Sequence, residues 1–200
     1  MARLPDLQIF ARDHGLKIGA IADLIGYRSR NETLIDRIGS RRLQTPQGDF
    51  DCLAYRDKSG GLHLALRHGS WQAGDEVPVR VHEPFTAFDL LDTAGTGHSW
   101  PLPAALQALR ASPCGVAVLL NCSGDAAAML SAVLPTQASK PAAAMNSTST
   151  QFDLRTYGIG AQILRDVGVR RMRLLGSPRR MPSMTGYGLE ITGFTAANSR

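Results

Sequence analysis

Between residues 80 and 98 the chain collects Arg80, His82, Glu83, Asp89, Asp92 and His98, side chains of the kinds that hold anions or metal ions. The intervals among the two histidines and two aspartates match no metal-ligand pattern, so the segment reads as a polar loop with a solvated histidine, and no metal is expected there. Cys52, Cys114 and Cys122 are the only cysteines, odd in number and far apart. That excludes a CxxC-type zinc site and argues against a disulfide framework. Cys114 and Cys122 flank an apolar run and read as core thiols. Asp153 and Arg155 set a carboxylate two residues before a guanidinium; by themselves they are an ordinary helix start, with Asp153 as cap. Ser177-Pro178-Arg179-Arg180 gathers cations in a turn that either meets an anion weakly or is simply solvated. Neither a G-x-S-x-G nucleophile elbow nor a P-loop is present.

The elements that must position these groups follow from hydrophobic period and turn chemistry. Pro5, Leu7, Phe10 and Ala11 predict a helix closed by Gly15, a short strand is expected over 16–21, and a second helix over 22–30. Alternation over 50–55 predicts a strand with two partly apolar faces. Asp57-Lys58-Ser59-Gly60-Gly61 predicts a hairpin turn, and Leu62, Leu64 and Leu66 share a face of the returning strand. Val77, Val79 and Val81 form another strand, with Arg80 and His82 on its opposite face. Leu102, Ala105, Leu106 and Leu109 make a helical stripe, and 115–120 is a buried strand. A helix over 126–134, an aperiodic loop over 135–150, a helix over about 153–167 and strands over 170–175 and 188–194 complete the reading. Strands alternating with helices after residue 75 indicate an α/β layer architecture.

Two hundred residues, 44% of them hydrophobic, suffice to bury a core. No apolar run approaches the ~20 residues of a membrane span, and the N-terminus has no signal-peptide core, so a cytoplasmic protein without membrane contact is expected. The net charge of +5 favours an anionic partner or a basic solvated surface. The aromatic residues are not interleaved with the arginines and no nucleic-acid motif is present, so nucleic acid is not an expected partner.

The stretch Asp153-Leu154-Arg155-Thr156-Tyr157-Gly158-Ile159-Gly160-Ala161-Gln162-Ile163-Leu164-Arg165-Asp166-Val167-Gly168-Val169 resembles a signature of GTP cyclohydrolase II, the zinc enzyme that opens the guanine ring at the start of riboflavin synthesis. Thr45-Pro46-Gln47-Gly48-Asp49-Phe50, Leu62-His63-Leu64-Ala65-Leu66, Arg170-Arg171-Met172-Arg173-Leu174-Leu175 and Gly186-Tyr187-Gly188-Leu189-Glu190 resemble the same family in the same order. Upstream, His14-Gly15-Leu16-Lys17-Ile18-Gly19, then Ile21 to Ile25 and Tyr27-Arg28, resemble the C-terminal end of 3,4-dihydroxy-2-butanone 4-phosphate synthase, which is often fused before that domain. The expected division is therefore a synthase remnant over 1–38 and a GTP cyclohydrolase II-like domain over 39–200, of three-layer α/β fold with a mixed sheet.

The resemblance also implies what the chemistry needs and what this chain lacks. The family holds zinc on three cysteine thiolates, and the zinc-bound water attacks the purine. Phe85 stands at the first of those positions, and the others fall on or near Thr96 and His98. No zinc and no other cofactor is expected, and Pro84 and Phe85 read as packing residues. In the loop that reads guanine, Cys122-Ser123-Gly124-Asp125 replaces the family arginine with Asp125, which also suits a helix start. Asp153 and Arg155 match the pair that handles the α-phosphate, and are expected as vestiges. Arg80, His82, Glu83, Arg179 and Arg180 are the candidates for holding GTP or another anion. The expected role is structural, dimerising or regulatory toward a fused synthase, in a cytoplasmic homodimer. The alternative is surviving nucleotide-phosphate chemistry through Arg155, or residual GTP binding.

Overall fold

In the computed structural model, residues 3–91, 98–122, 154–178 and 184–197 are described. The sheet has seven strands: β1 (Ile35–Thr45), β2 (Gly48–Asp57), β3 (Leu62–His68), β4 (Glu76–His82), β5 (Gly115–Leu119), β6 (Arg171–Leu175) and β7 (Glu190–Thr195). Their order is β1-β2-β3-β5-β4-β6-β7. From β1 to β5 neighbours run antiparallel; β5, β4, β6 and β7 run parallel. This is a mixed α/β fold, as expected.

The two-faced pattern of β2 explains how the layers form. Leu53 and Tyr55 enter one core with Val77, Val79, Val116 and Val118, under the helix Leu154–Asp166. Phe50 and Cys52 enter a second core with Leu66, Ala117 and Leu119, under the helix Leu102–Arg110. Counting Leu4–Asp13 as α1, Ile21–Asn31 as α2 and the single turn Phe88–Leu91 as α3, these two helices are α4 (Leu102–Arg110) and α5 (Leu154–Asp166). The predicted stripe Leu102, Ala105, Leu106 and Leu109 is wholly buried. At roughly 1.5–3 kcal/mol per buried leucine, that stripe alone fixes α4 on the sheet.

Residues 16–20 form no strand, and Ile21 already begins α2. Leu16 and Ile18 alternate correctly but remain exposed, and a lone extended segment without a hydrogen-bonding neighbour gains nothing from its pattern. β1 starts at Ile35, inside the segment assigned above to the appendage. Gln162 of α5 clamps the connection ahead of it, its Oε1 accepting from the Leu34 N–H at 2.8 Å and its Nε2 donating to the Glu32 carbonyl at 2.8 Å. The helix expected over 126–134 and the loop over 135–150 lie outside the described residues.

Candidate functional site

Parallel strands place their carboxyl ends at one edge of the sheet, where open α/β folds form binding crevices. β4 and β6 end side by side at His82 and Leu175, and the chain leaves β5 through Leu120 and Asn121. A cavity of about 350 Å³ opens there, between α5 and the carboxyl edge of the sheet, with Arg80, Glu83, His98, Ser99 and Tyr157 among its lining residues. Because Val77, Val79 and Val81 face the α5 core, strand alternation turns Arg80 and His82 to the other side, as predicted.

Arg80 is buried and held by backbone oxygens: Nη1 donates to the Leu175 carbonyl at 2.9 Å and Nη2 to the Trp100 carbonyl at 3.2 Å. Its Nη2 also lies 3.4 Å from His82 Nδ1. Asn121, in the left-handed region at φ 54°, turns its amide so that Nδ2 donates to Glu83 Oε1 at 2.8 Å. Thus Arg80, His82 and Glu83, three of the anion-site candidates, converge on one place. Arg179 and Arg180 lie outside the described residues, as do Asp153, Asp125, Asp92 and Thr96.

Sequence spacing missed the tightest cluster. One ligand atom each from His82, Asp89 and His98 lie within 4.8 Å of one another. Asp89 Oδ1 is 2.9 Å from His82 Nε2 and 3.5 Å from His98 Nε2. Asp89 sits on α3, and Trp100, two residues after His98, is anchored by its Nε1–H to the Thr195 carbonyl at 2.9 Å. Burial, stronger than the neighbouring carboxylate, pushes His82 down to about 4. Burial likewise lowers His98. Both imidazoles are neutral at neutral pH, with a lone pair each. The only signal in the sequence was the presence of these residues in one window; their convergence depends on chain turns that spacing does not encode.

The three-thiolate zinc site implied by the resemblance does not fit these residues. Phe85 packs partly buried against the α4-side core, where a phenyl ring offers no lone pair. Cys52 and Cys122 belong to that same core and Cys114 to the opposite one. Burial raises the Cys122 thiol to about 11, as expected of a core thiol rather than a nucleophile.

Arg155 stands apart from the cavity lining. Its Nη2 lies 4.0 Å from Asp57 Oδ1, at the hairpin after β2. Asp57 is itself engaged: Oδ1 accepts from the Ser59 N–H, the Ser59 hydroxyl and the Gly61 N–H, and Oδ2 is 3.3 Å from His63 Nε2. The Asn121 N–H donates to His63 Nδ1 at 3.1 Å, which leaves the His63 proton on Nε2, facing Asp57. A polar chain, buried at Asp57 and His63, thus runs from the exposed Arg155 through Asn121 to Glu83 at the cavity wall.

The GTP cyclohydrolase II family model matches residues 36–196. A 3,4-dihydroxy-2-butanone 4-phosphate synthase of Neisseria meningitidis serogroup B is 45% identical over 198 residues, covering 98% of this chain and 52% of that protein. Riboflavin biosynthesis protein RibBA of Aquifex aeolicus is 39% identical, with 96% of this chain and 49% of that protein covered. The crystal structure of RibBX, a two-domain 3,4-dihydroxy-2-butanone 4-phosphate synthase from A. baumannii, superposes with a TM-score of 0.56 at 33% identity, covering 98% of this chain and 51% of that one. The chain spans about half the length of the curated relatives it matches. The match runs from the start of β1 through β7 and takes in every strand that builds the cavity, so the chain belongs to the GTP cyclohydrolase II family.

Proposed function

We propose that this chain is a GTP cyclohydrolase II-like domain of riboflavin biosynthesis that has lost ring-opening activity and serves an associated 3,4-dihydroxy-2-butanone 4-phosphate synthase as a structural, dimerising or regulatory unit. The observation that carries this reading is Phe85, a core-packed ring where the family places a zinc thiolate. Arg155 adds to it: the guanidinium that would take a phosphoryl group lies against Asp57 rather than in the cavity. Relatives named as the synthase match this chain over nearly its whole length, which supports the synthase as partner. The segment ahead of β1, ending short of the 1–38 boundary expected from the sequence, then belongs to the synthase side, and the protein is a cytoplasmic homodimer.

A second reading, GTP or another anionic nucleotide held without turnover, is favoured by the cavity with Arg80 in its wall. One assay separates the readings from catalysis. The full-length protein is given GTP as sole substrate, and formate and pyrophosphate are followed beside an active GTP cyclohydrolase II. Neither product is expected above the uncatalysed background. Formate at rates comparable to the active enzyme overturns the proposal. Pyrophosphate alone, abolished in Arg155→Ala, replaces it with surviving phosphoryl chemistry.

A further inference from the structure

We propose that His82, Asp89 and His98 form a binding site for one first-row divalent cation, with zinc as the best-suited occupant, built from a donor set unlike the family's three thiolates. This reverses the expectation drawn from spacing that the segment holds no metal. It stands independently of whether the domain turns over GTP.

Donor separations carry the argument. Two ligands each about 2.0–2.1 Å from a zinc ion, at coordination angles between octahedral and tetrahedral, sit roughly 2.9–3.5 Å apart. Asp89 Oδ1 is 2.9 Å from one imidazole nitrogen and 3.5 Å from the other. The angles give an independent observation. His82 Nε2 is fully buried and attracts the carboxylate oxygen 2.9 Å away, but its N–H is too poorly aligned with that oxygen for a good hydrogen bond. The nitrogen and the oxygen are close without being aimed at each other, as two ligands of a shared ion are.

The supports around the donors are those of a metal site. Asp89 Oδ2 accepts from the Thr86 N–H at 2.7 Å and the Thr86 hydroxyl at 3.0 Å, which leaves Oδ1 to face the two rings. The His98 ring donates to the Pro84 carbonyl, which orients it. Such outer contacts fix ligands before the ion arrives. Two neutral nitrogens and one carboxylate suit zinc and its first-row neighbours and do not suit calcium or magnesium, which take oxygen ligands. His98 also lines the cavity, which gives the cluster a side open to that space. One neighbour opposes the ion: Arg80 Nη2, 3.4 Å from His82 Nδ1, must give up that long contact when Nδ1 carries the proton. Arg80 keeps its shorter bonds to the Leu175 and Trp100 carbonyls, which hold the guanidinium in place.

The test uses the full-length protein, stripped with chelator and titrated with Zn²⁺ alone and, as spectroscopic probe, Co²⁺ alone, in wild type, His98→Ala and Asp89→Asn. Metal content by mass spectrometry and the cobalt d–d bands are the readouts, with thermal unfolding as the check on folding. Expected is one equivalent per chain that is lost in both variants, its affinity falling by more than the ~10–100-fold that loss of an outer partner causes. His98 is the least buried ligand, so His98→Ala keeps the test valid if Asp89→Asn fails to fold. Wild type that takes up no cobalt or zinc overturns the site. Equal stoichiometry in wild type and His98→Ala also overturns it, by placing the bound metal elsewhere in the protein.

Discussion

Asp57 shows how one side chain can hold several elements together. Burial opposes its ionisation, but the Ser59 hydroxyl, the Gly61 and Ser59 N–H groups and His63 outweigh it and bring the carboxyl down to about 2. Its folded value lies below the unfolded one near 4, so its stabilisation is complete above pH 4 and vanishes as pH falls through 2. The depression corresponds to about 2 kcal/mol. Burial lowers His63 and His68, which must stay uncharged in the fold, so stability already declines below about pH 6.5, where the unfolded chain takes up protons first. Urea midpoints should therefore fall in two stages, below pH 6.5 and again between pH 4 and 2. Asp57→Asn should be about 2 kcal/mol less stable at pH 7 and show a smaller second stage, the remainder coming from Asp89, which, against the effect of burial, Thr86 and His82 also hold below the usual carboxylate range. An unchanged second stage in Asp57→Asn would assign the acid transition to another group. The turn role of Asp57 was legible from the neighbouring Gly60-Gly61. Its ties to His63 and Arg155 were not, because they join residues from β2, β3 and α5 that only the fold makes neighbours.

At the level of elements, the strongly patterned segments formed where their period placed them. The leucine stripe of α4, the valine alternation of β4 and the apolar run of β5 each bury the side their spacing exposes to the core. β1 gave no comparable signal. Arg37, Arg41, Arg42 and Asp36 put charge on both faces of an edge strand whose middle is solvent-exposed, so its extension is templated by hydrogen bonding to β2 rather than by burial. Turns allow a sharper test. Gly60 and Gly69 both have positive φ, 90° and 72°. A Cβ at Gly60 meets nothing within 4 Å, whereas at Gly69 it falls 2.2 Å from the Pro113 carbonyl oxygen and 2.8 Å from Cys114 Cα. Gly60→Ala therefore carries only the backbone penalty, about 1 kcal/mol, while Gly69→Ala must also push apart β3 and the start of β5, for a loss of at least about 3 kcal/mol. Chemical denaturation of the two variants checks the ranking; equal losses would mean that the β3–β5 junction yields without resistance.

For the whole molecule, the N-terminal helices are the part least explained by the chain itself. Of α1 only Ala11 is buried, while Leu4, Leu7, Ile9 and Phe10 are exposed, as are Ile21, Leu24 and Tyr27 of α2. Exposed apolar side chains clustered at this density mark a contact surface. The partner proposed above specifies the occupant: relatives such as the Neisseria protein carry the synthase name and are about twice the length of this chain, and the matched family segment begins only at residue 36, after α2. On the proposed function, the face of α1 and α2 is the seam on which the rest of the synthase domain packs. Hydrogen exchange on this chain joined to the proposed synthase domain reads this directly. Amides of 4–13 and 21–31 should be protected to nearly the level of β4 and β5, although two short helices standing on a surface would exchange early. Leu7→Glu and Leu24→Glu should release that protection and leave the sheet unaffected, since neither side chain touches either core. Fast exchange over both helices in the intact protein would place the synthase contact elsewhere, and the exposed leucines would then belong to an interface with another partner.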